Sequence, residues 1–151
     1  MALGLTNLDI APVRGNAALL PNQPIIQGAK VSASETATLV PGDVVTLATG
    51  GSADAIIVKK AAVTDLPVGV VAGNPIKTGF KASEHVSFFP AGSFVYMESG
   101  SASIARGTKV QFDANGKVKA TSTASNGYVG VAWTAAAAEG DIIIVKIDPS
   151  I

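Results

Sequence analysis

His85 is the only histidine in the chain, and there is no cysteine. A histidine or thiolate metal cluster therefore cannot be built, and any Ser-His-Asp triad would have to use this one imidazole. His85 stands between Glu84 and Val86 in an alternating stretch, on the face opposite Val86 and Phe88, where a solvent-facing strand histidine is the simpler reading. No Gly-x-Ser-x-Gly elbow offers it a nucleophile. Glu139 and Asp141 flank Gly140 and place two carboxylates near each other, as acid–base chemistry needs, but turn residues ahead of an apolar strand look the same. Asp113-Ala114-Asn115-Gly116 matches the start of a calcium loop, yet the later acidic ligands are missing and an Asn-Gly turn accounts for the segment. Lys59-Lys60 and Lys117-Val118-Lys119 are too sparse, and too poor in nearby aromatics, to form a single-strand nucleic-acid platform. With no Walker loop, dinucleotide fingerprint or zinc spacing either, the sequence predicts no enzyme, no metal site and no cofactor.

Composition narrows what remains. Eleven basic residues balance eleven acidic ones, so no global field recruits nucleic acid or an anionic membrane. Charged residues make up 15% of the chain against roughly 25% in an ordinary soluble domain, which predicts a homo-oligomer whose contacts hide weakly charged faces. Residues 1–10 have neither a basic region nor a continuous apolar run, and no stretch approaches the roughly 20 apolar residues of a membrane span. Synthesis in a cytoplasm without a membrane anchor is the expectation.

The elements that would position a binding surface are short strands. Candidate strands cover 25–32, 43–48, 54–60, 67–72, 84–89, 93–98, 108–113, 117–120, 127–133 and 141–147, with Phe112–Ala120 around Asn115-Gly116 the clearest hairpin. Thr134–Ala138 is the one plausible helical turn, favoured by its alanines and ended by Gly140. These features predict an all-β fold, a compact barrel or sandwich of short strands in a single β-rich domain over residues 24–151. Residues 1–23 differ: Leu3, Leu5, Leu8, Ile10 and Val13 are interrupted by Gly4, Pro12 and Gly15, which predicts an extended N-terminal arm. Ordering some twenty residues costs on the order of 1–2 kcal/mol each, more than the roughly 1.5–3 kcal/mol returned by each of its few large apolar side chains. The arm is therefore expected to need backbone pairing along a strand edge of another surface, the alternative being a first strand of the domain's own sheet. Trp133, Ile142 and Ile144 lie in or beside the most apolar strand and read as core or as a subunit interface.

A pattern of turn glycines and small strands occurs twice. One copy groups Pro41–Leu47, Val68–Val71 and Ala91–Met97, and the other groups Arg106–Phe112, Val129–Ala132 and Glu139–Val145. In Val129-Gly130-Val131-Ala132, in Ala138-Glu139-Gly140-Asp141 running into Ile142–Val145, and in Ala72-Gly73-Asn74-Pro75-Ile76, the chain resembles the head decoration, or cement, proteins of tailed bacteriophages. The match covers residues 24–148 as a pattern. The resemblance implies a virion structural protein on the outer capsid surface that reinforces neighbouring capsomers, commonly as a trimer. Its partners would be the major capsid protein and further copies of itself, and its arm would lie on the lattice or on a neighbouring subunit. A receptor- or glycan-binding β module of a phage head fibre or tail is the competing expectation, and would need an exposed aromatic such as Trp133. A β-barrel enzyme using scattered carboxylates is a third.

Overall fold

The computed structural model describes residues 13–15, 26–51, 55–122 and 127–148. Ten strands follow one another: β1 (Gln27–Val31), β2 (Val44–Leu47), β3 (Ile57–Lys60), β4 (Gly69–Val71), β5 (His85–Pro90), β6 (Phe94–Glu98), β7 (Lys109–Phe112), β8 (Val118–Ala120), β9 (Tyr128–Ala132) and β10 (Ile142–Ile147). Each overlaps a strand expected from the sequence, and the fold is all-β. The expected helical turn at Thr134–Ala138 does not form, and no helix occurs among the described residues. Ala136 instead makes an antiparallel bridge to Ile104, because with so few residues the alanine preference cannot outweigh pairing with a neighbouring chain.

Strands β1-β3-β2-β4-β5 close into a barrel, and β6-β10-β9-β7-β8 form a second sheet. A parallel bridge between Ser99 and Val118 brings the end of β6 back to β8. Followed from β6 through that bridge, the second sheet runs β6-β8-β7-β9-β10, the same circuit as β1-β3-β2-β4-β5. The sense of every pairing agrees: β1 is parallel to β3 as Ser99 is to Val118, and all other neighbours are antiparallel. Even the register is kept, with Val45 opposite Gly69 in one half and Val110 opposite Gly130 in the other.

The duplication is therefore real, but its phase differs from the sequence reading. Ala91–Met97 leads into β6, the counterpart of β1 at the start of the second half, while β10 is the counterpart of β5. The motif misleads because the same turn precedes several different strands. In Val40–Asp43, Pro90–Ser93, Ala105–Thr108 and Ala138–Asp141 the fourth N–H donates to the first carbonyl (3.0–3.3 Å) and the third residue is a glycine with φ of 84–90°. That is a type II turn, which needs positive φ at its third position.

Lys81–Glu84 is the same turn with Ser83 in the glycine place, at φ 66°. Its counterpart is Gly140: Ser83 N–H donates to Val31 O as Gly140 N–H donates to Ser99 O. A left-handed conformation costs a side-chain-bearing residue about 1 kcal/mol, partly offset by the greater freedom glycine has when unfolded. Ser83→Gly is expected to stabilise the exposed turn by roughly 0.5 kcal/mol, seen as a higher guanidinium unfolding midpoint at unchanged slope.

The core falls into two clusters, the larger of which spans both halves. Leu39, Val31, Val45, Val58, Val71, Phe80 and Phe88 fill the barrel. A second cluster runs from Val95, Met97, Val110, Ile143 and Val145 inside the second sheet to Val44, Val70 and Phe89 of the barrel. Neighbours Val44 and Val45, Val70 and Val71, and Phe88 and Phe89 are all buried although they point to opposite faces, so β2, β4 and β5 are covered on both sides. Strand β10 alternates instead, with Ile143, Val145 and Ile147 buried and Ile142, Ile144 and Lys146 partly exposed.

Candidate binding surfaces

The residues that could have done chemistry are occupied by structure. One carboxylate oxygen of Asp141 accepts the N–H groups of Ala137 and Ala138 at 2.8 Å, holding the turn into β10. Asp113 Oδ1 accepts N–H groups from Asn115 (2.8 Å) and Lys117 (3.0 Å), which closes the β7–β8 hairpin. In that hairpin only Gly116 takes positive φ, so the turn is carried by the aspartate side chain and the glycine and not by an Asn-Gly pair in left-handed conformation. Glu139 is exposed and faces Lys117 Nζ at 3.9 Å. His85 is exposed on the outer face of β5, opposite Lys30 of β1. Among the described residues no three His, Asp or Glu side chains gather into a possible metal site. The lysines are paired: Lys59 with Asp65, Lys60 with Asp43, Lys117 with Glu98, and Lys119 with Asp113. The Glu98 carboxylate beside Lys117 raises the pKa of that ammonium.

The outer face of the second half carries the expected apolar residues. Trp133 is 40% exposed and meets Phe94 edge to face, with ring centroids 5.1 Å apart. Ile142 and Ile144 stand partly exposed on the outward side of β10, so the three residues lie on outward positions of adjoining segments. Of the arm residues, Val13 is exposed, while Leu3, Leu5, Leu8 and Ile10 lie outside the described residues.

Arg14 and Gly15 are fastened to the body, which the sequence reading did not foresee. Arg14 Nη2 donates to Asp43 Oδ1 (3.0 Å), at the mouth of β2, and to the Asn115 carbonyl (3.1 Å), in the β7–β8 hairpin. Gly15 N–H donates to Tyr96 O (2.8 Å) of β6, and its own carbonyl accepts from Gly73 N–H (2.7 Å) after β4. This short segment thus bridges the two halves. Three glycines make room for it: a Cβ on Gly42 or Gly116 would collide with the Arg14 side chain, and one on Gly15 with Pro41 and Gly42. The only advance signal was the single basic residue of 1–23, placed beside a glycine.

Ile76 is the second unforeseen residue. It is 93% exposed at the tip of the loop between β4 and β5. The loop is preorganised, because Asn74 Oδ1 accepts the N–H groups of Ile76 (2.8 Å) and Lys77 (3.2 Å). Lys77 in turn donates to Glu84 at 2.8 Å, and this ammonium, with the Lys81 N–H, holds the Glu84 carboxyl below its ordinary pKa.

Two like β halves with polar groups committed to turns, and with apolar residues displayed on outer faces, define a structural binding body. The chain belongs to the phage cement protein family, whose model matches residues 25–147, and is a phage capsid-associated structural protein. Its fold is similar to that of the N base of the head fibre protein gp8.5 of bacteriophage phi29, with a TM-score of 0.57 and 19% identity over 83% of this chain and 95% of that one. No curated protein matches the sequence.

Proposed function

We propose that this protein binds the outer surface of an assembled phage capsid and cements neighbouring capsomers as a homo-oligomer, with a trimer fitting three-fold positions. The observation that carries the reading is the anchorage of Arg14 and Gly15 across both halves. It fixes on the body the point to which the apolar stretch containing Leu3, Leu5, Leu8 and Ile10 is joined. Such a stretch gains its ordering energy only when it lies on another protein, the major capsid protein or a neighbouring copy. Trp133, Ile142 and Ile144 supply a face for subunit contact, and symmetry multiplies each weak contact.

The anchorage decides where a truncation must stop. Deleting residues 2–12, which spares Arg14, is expected to leave the unfolding midpoint unchanged and to abolish co-sedimentation with capsids lacking the protein. Undiminished binding of the truncated chain would overturn the arm's role.

The likeness to a head fibre base favours a second reading, a receptor- or glycan-binding module of the head, with Trp133 as the aromatic platform. A reproducible glycan-array signal that disappears in Trp133→Ala would put that reading first.

A further inference from the structure

The two halves share one circuit, so each differs from the other only where the fold does not require it to match. At two outward positions, and at a third where the first half buries an alanine, the second half has large side chains and the first has small ones. Tyr96, Ile144 and Trp133 correspond to Gly28, Ser87 and Ala72: Gly28 pairs with Ser87 as Tyr96 pairs with Ile144, and Ala72 N–H donates to Ser87 O as Trp133 N–H donates to Ile144 O. Gly28, Ser87 and Ala72 line a groove of about 550 Å³, together with the apolar residues Ile26, Ile56 and Phe80. A Cβ on Gly28 would meet only open space, so the glycine is not there to relieve crowding.

The first half also carries an insertion. Leu39 bridges Phe80 as Ile104 bridges Ala136, yet residues 73–79 separate Ala72 from Phe80 where only Thr134 and Ala135 separate Trp133 from Ala136. This insertion is the braced loop that holds Ile76 fully in solvent. Gly73 and Asn74, at its start, form one wall of the groove. A hole and a knob thus stand side by side, and the second half folds with neither. The neighbouring Lys77 is neutralised by Glu84, so the knob brings no unpaired charge to Lys30 at the groove.

We propose that Ile76 of one copy occupies the groove of a second copy, giving the self-association of the proposed function, on which this inference rests, a specific contact. In the second half the corresponding surface carries apolar side chains of the same chain. In the first half the same cover is supplied in trans, by the rigid apolar residue that this half alone displays. Knob and groove are different patches, so successive contacts close a ring or, by mutual exchange, a pair.

The test uses the full chain and two variants, Ile76→Asp, which removes the knob, and Gly28→Tyr, which fills the groove as Tyr96 does. Ser87→Ile serves in its place should Gly28→Tyr not fold. Sedimentation equilibrium is expected to show the unchanged chain associating, and each variant associating about tenfold or more weakly, the effect of losing a buried anchor. Their unfolding midpoints should hold. An equimolar mixture should form a one-to-one complex, since the knob of Gly28→Tyr still fits the groove of Ile76→Asp. Variants that associate as the unchanged chain does would overturn this contact, and so would variants that associate normally but no longer bind capsids, which would make the capsid the occupant. Failure of the unchanged chain to bind capsids would instead refute the proposed function.

Discussion

Replacing Gly130 with alanine is expected to unfold the second half or to lower stability by about 3 kcal/mol or more, at or above the upper end of the usual cost of forcing atoms into a packed interior, because the clash is with backbone. Gly130 lies in β9 between β7 and β10, opposite Val110 on one side and Ile147 on the other. A Cβ there would run into the Lys146 carbonyl and the Asp148 amide. These are backbone atoms of a paired strand, so no side chain can swing away to make room. Relief would require β10 to move off β9 and give up hydrogen bonds beside the buried Ile143, Val145 and Ile147. Its counterpart Gly69 is similarly crowded, by the Phe88 ring and the Phe89 carbonyl. Gly28→Ala is the control, because its added methyl meets open space and alanine suits a strand better than glycine. Equilibrium unfolding in guanidinium should show Gly28→Ala within about 0.5 kcal/mol of the parent. Similar midpoints for the two variants would refute the crowding argument.

Asp43→Ala is expected to cost roughly 2–3 kcal/mol, somewhat below the usual penalty for stripping one partner from a buried ion pair. The Asp43 side chain is 1% exposed and receives Arg14, Lys60 and the Val40 N–H. Removing it takes the shared carboxylate from two cations and an amide, although Arg14 keeps the Asn115 carbonyl, and Arg14 and Lys60, at 21% and 30% exposed, can recover some water. The second half shows that the turn itself does not need a carboxylate, since Thr108 holds the equivalent place beside Gly107. Asp43 is there for its cations. The loss should persist in high salt, as expected of a pair screened little by solvent. A double-mutant cycle with Arg14→Ala should give a coupling of about 1 kcal/mol or more, and a coupling near zero would mean that Arg14 does not hold the halves together.

The cement-family membership and the all-β fold were legible because both rest on local signals. Period-two burial, as at Val86 and Phe88, together with turn glycines such as Gly42 and Gly107, marked all ten strands, nine of them within two residues at either end and β3 with a start three residues early. The turn residues that resembled catalytic or calcium ligands, Asp113 and Asp141, sit at turns for reasons that their near neighbours supply. By contrast, the phase of the duplication was not legible, because a type II turn ahead of a strand does not reveal which strand will pair with it.

Arg14 and Ile76 escaped for complementary reasons. Arg14 depends on Asp43, Asn115 and three glycines that lie far away in sequence, and no local pattern links them. Ile76 looked like any apolar residue near a turn, and only the surrounding fold shows that nothing covers it. The sequence by itself determined the strands, the turns and the repeat, because backbone hydrogen bonding and side-chain alternation act over a few residues. Tertiary structure decided how the repeat is phased, where the N-terminal segment is fastened and which half displays a groove and a knob. Those outcomes are set by contacts between distant segments, where the space beside Gly28 and the exposure of Ile76 first become defined.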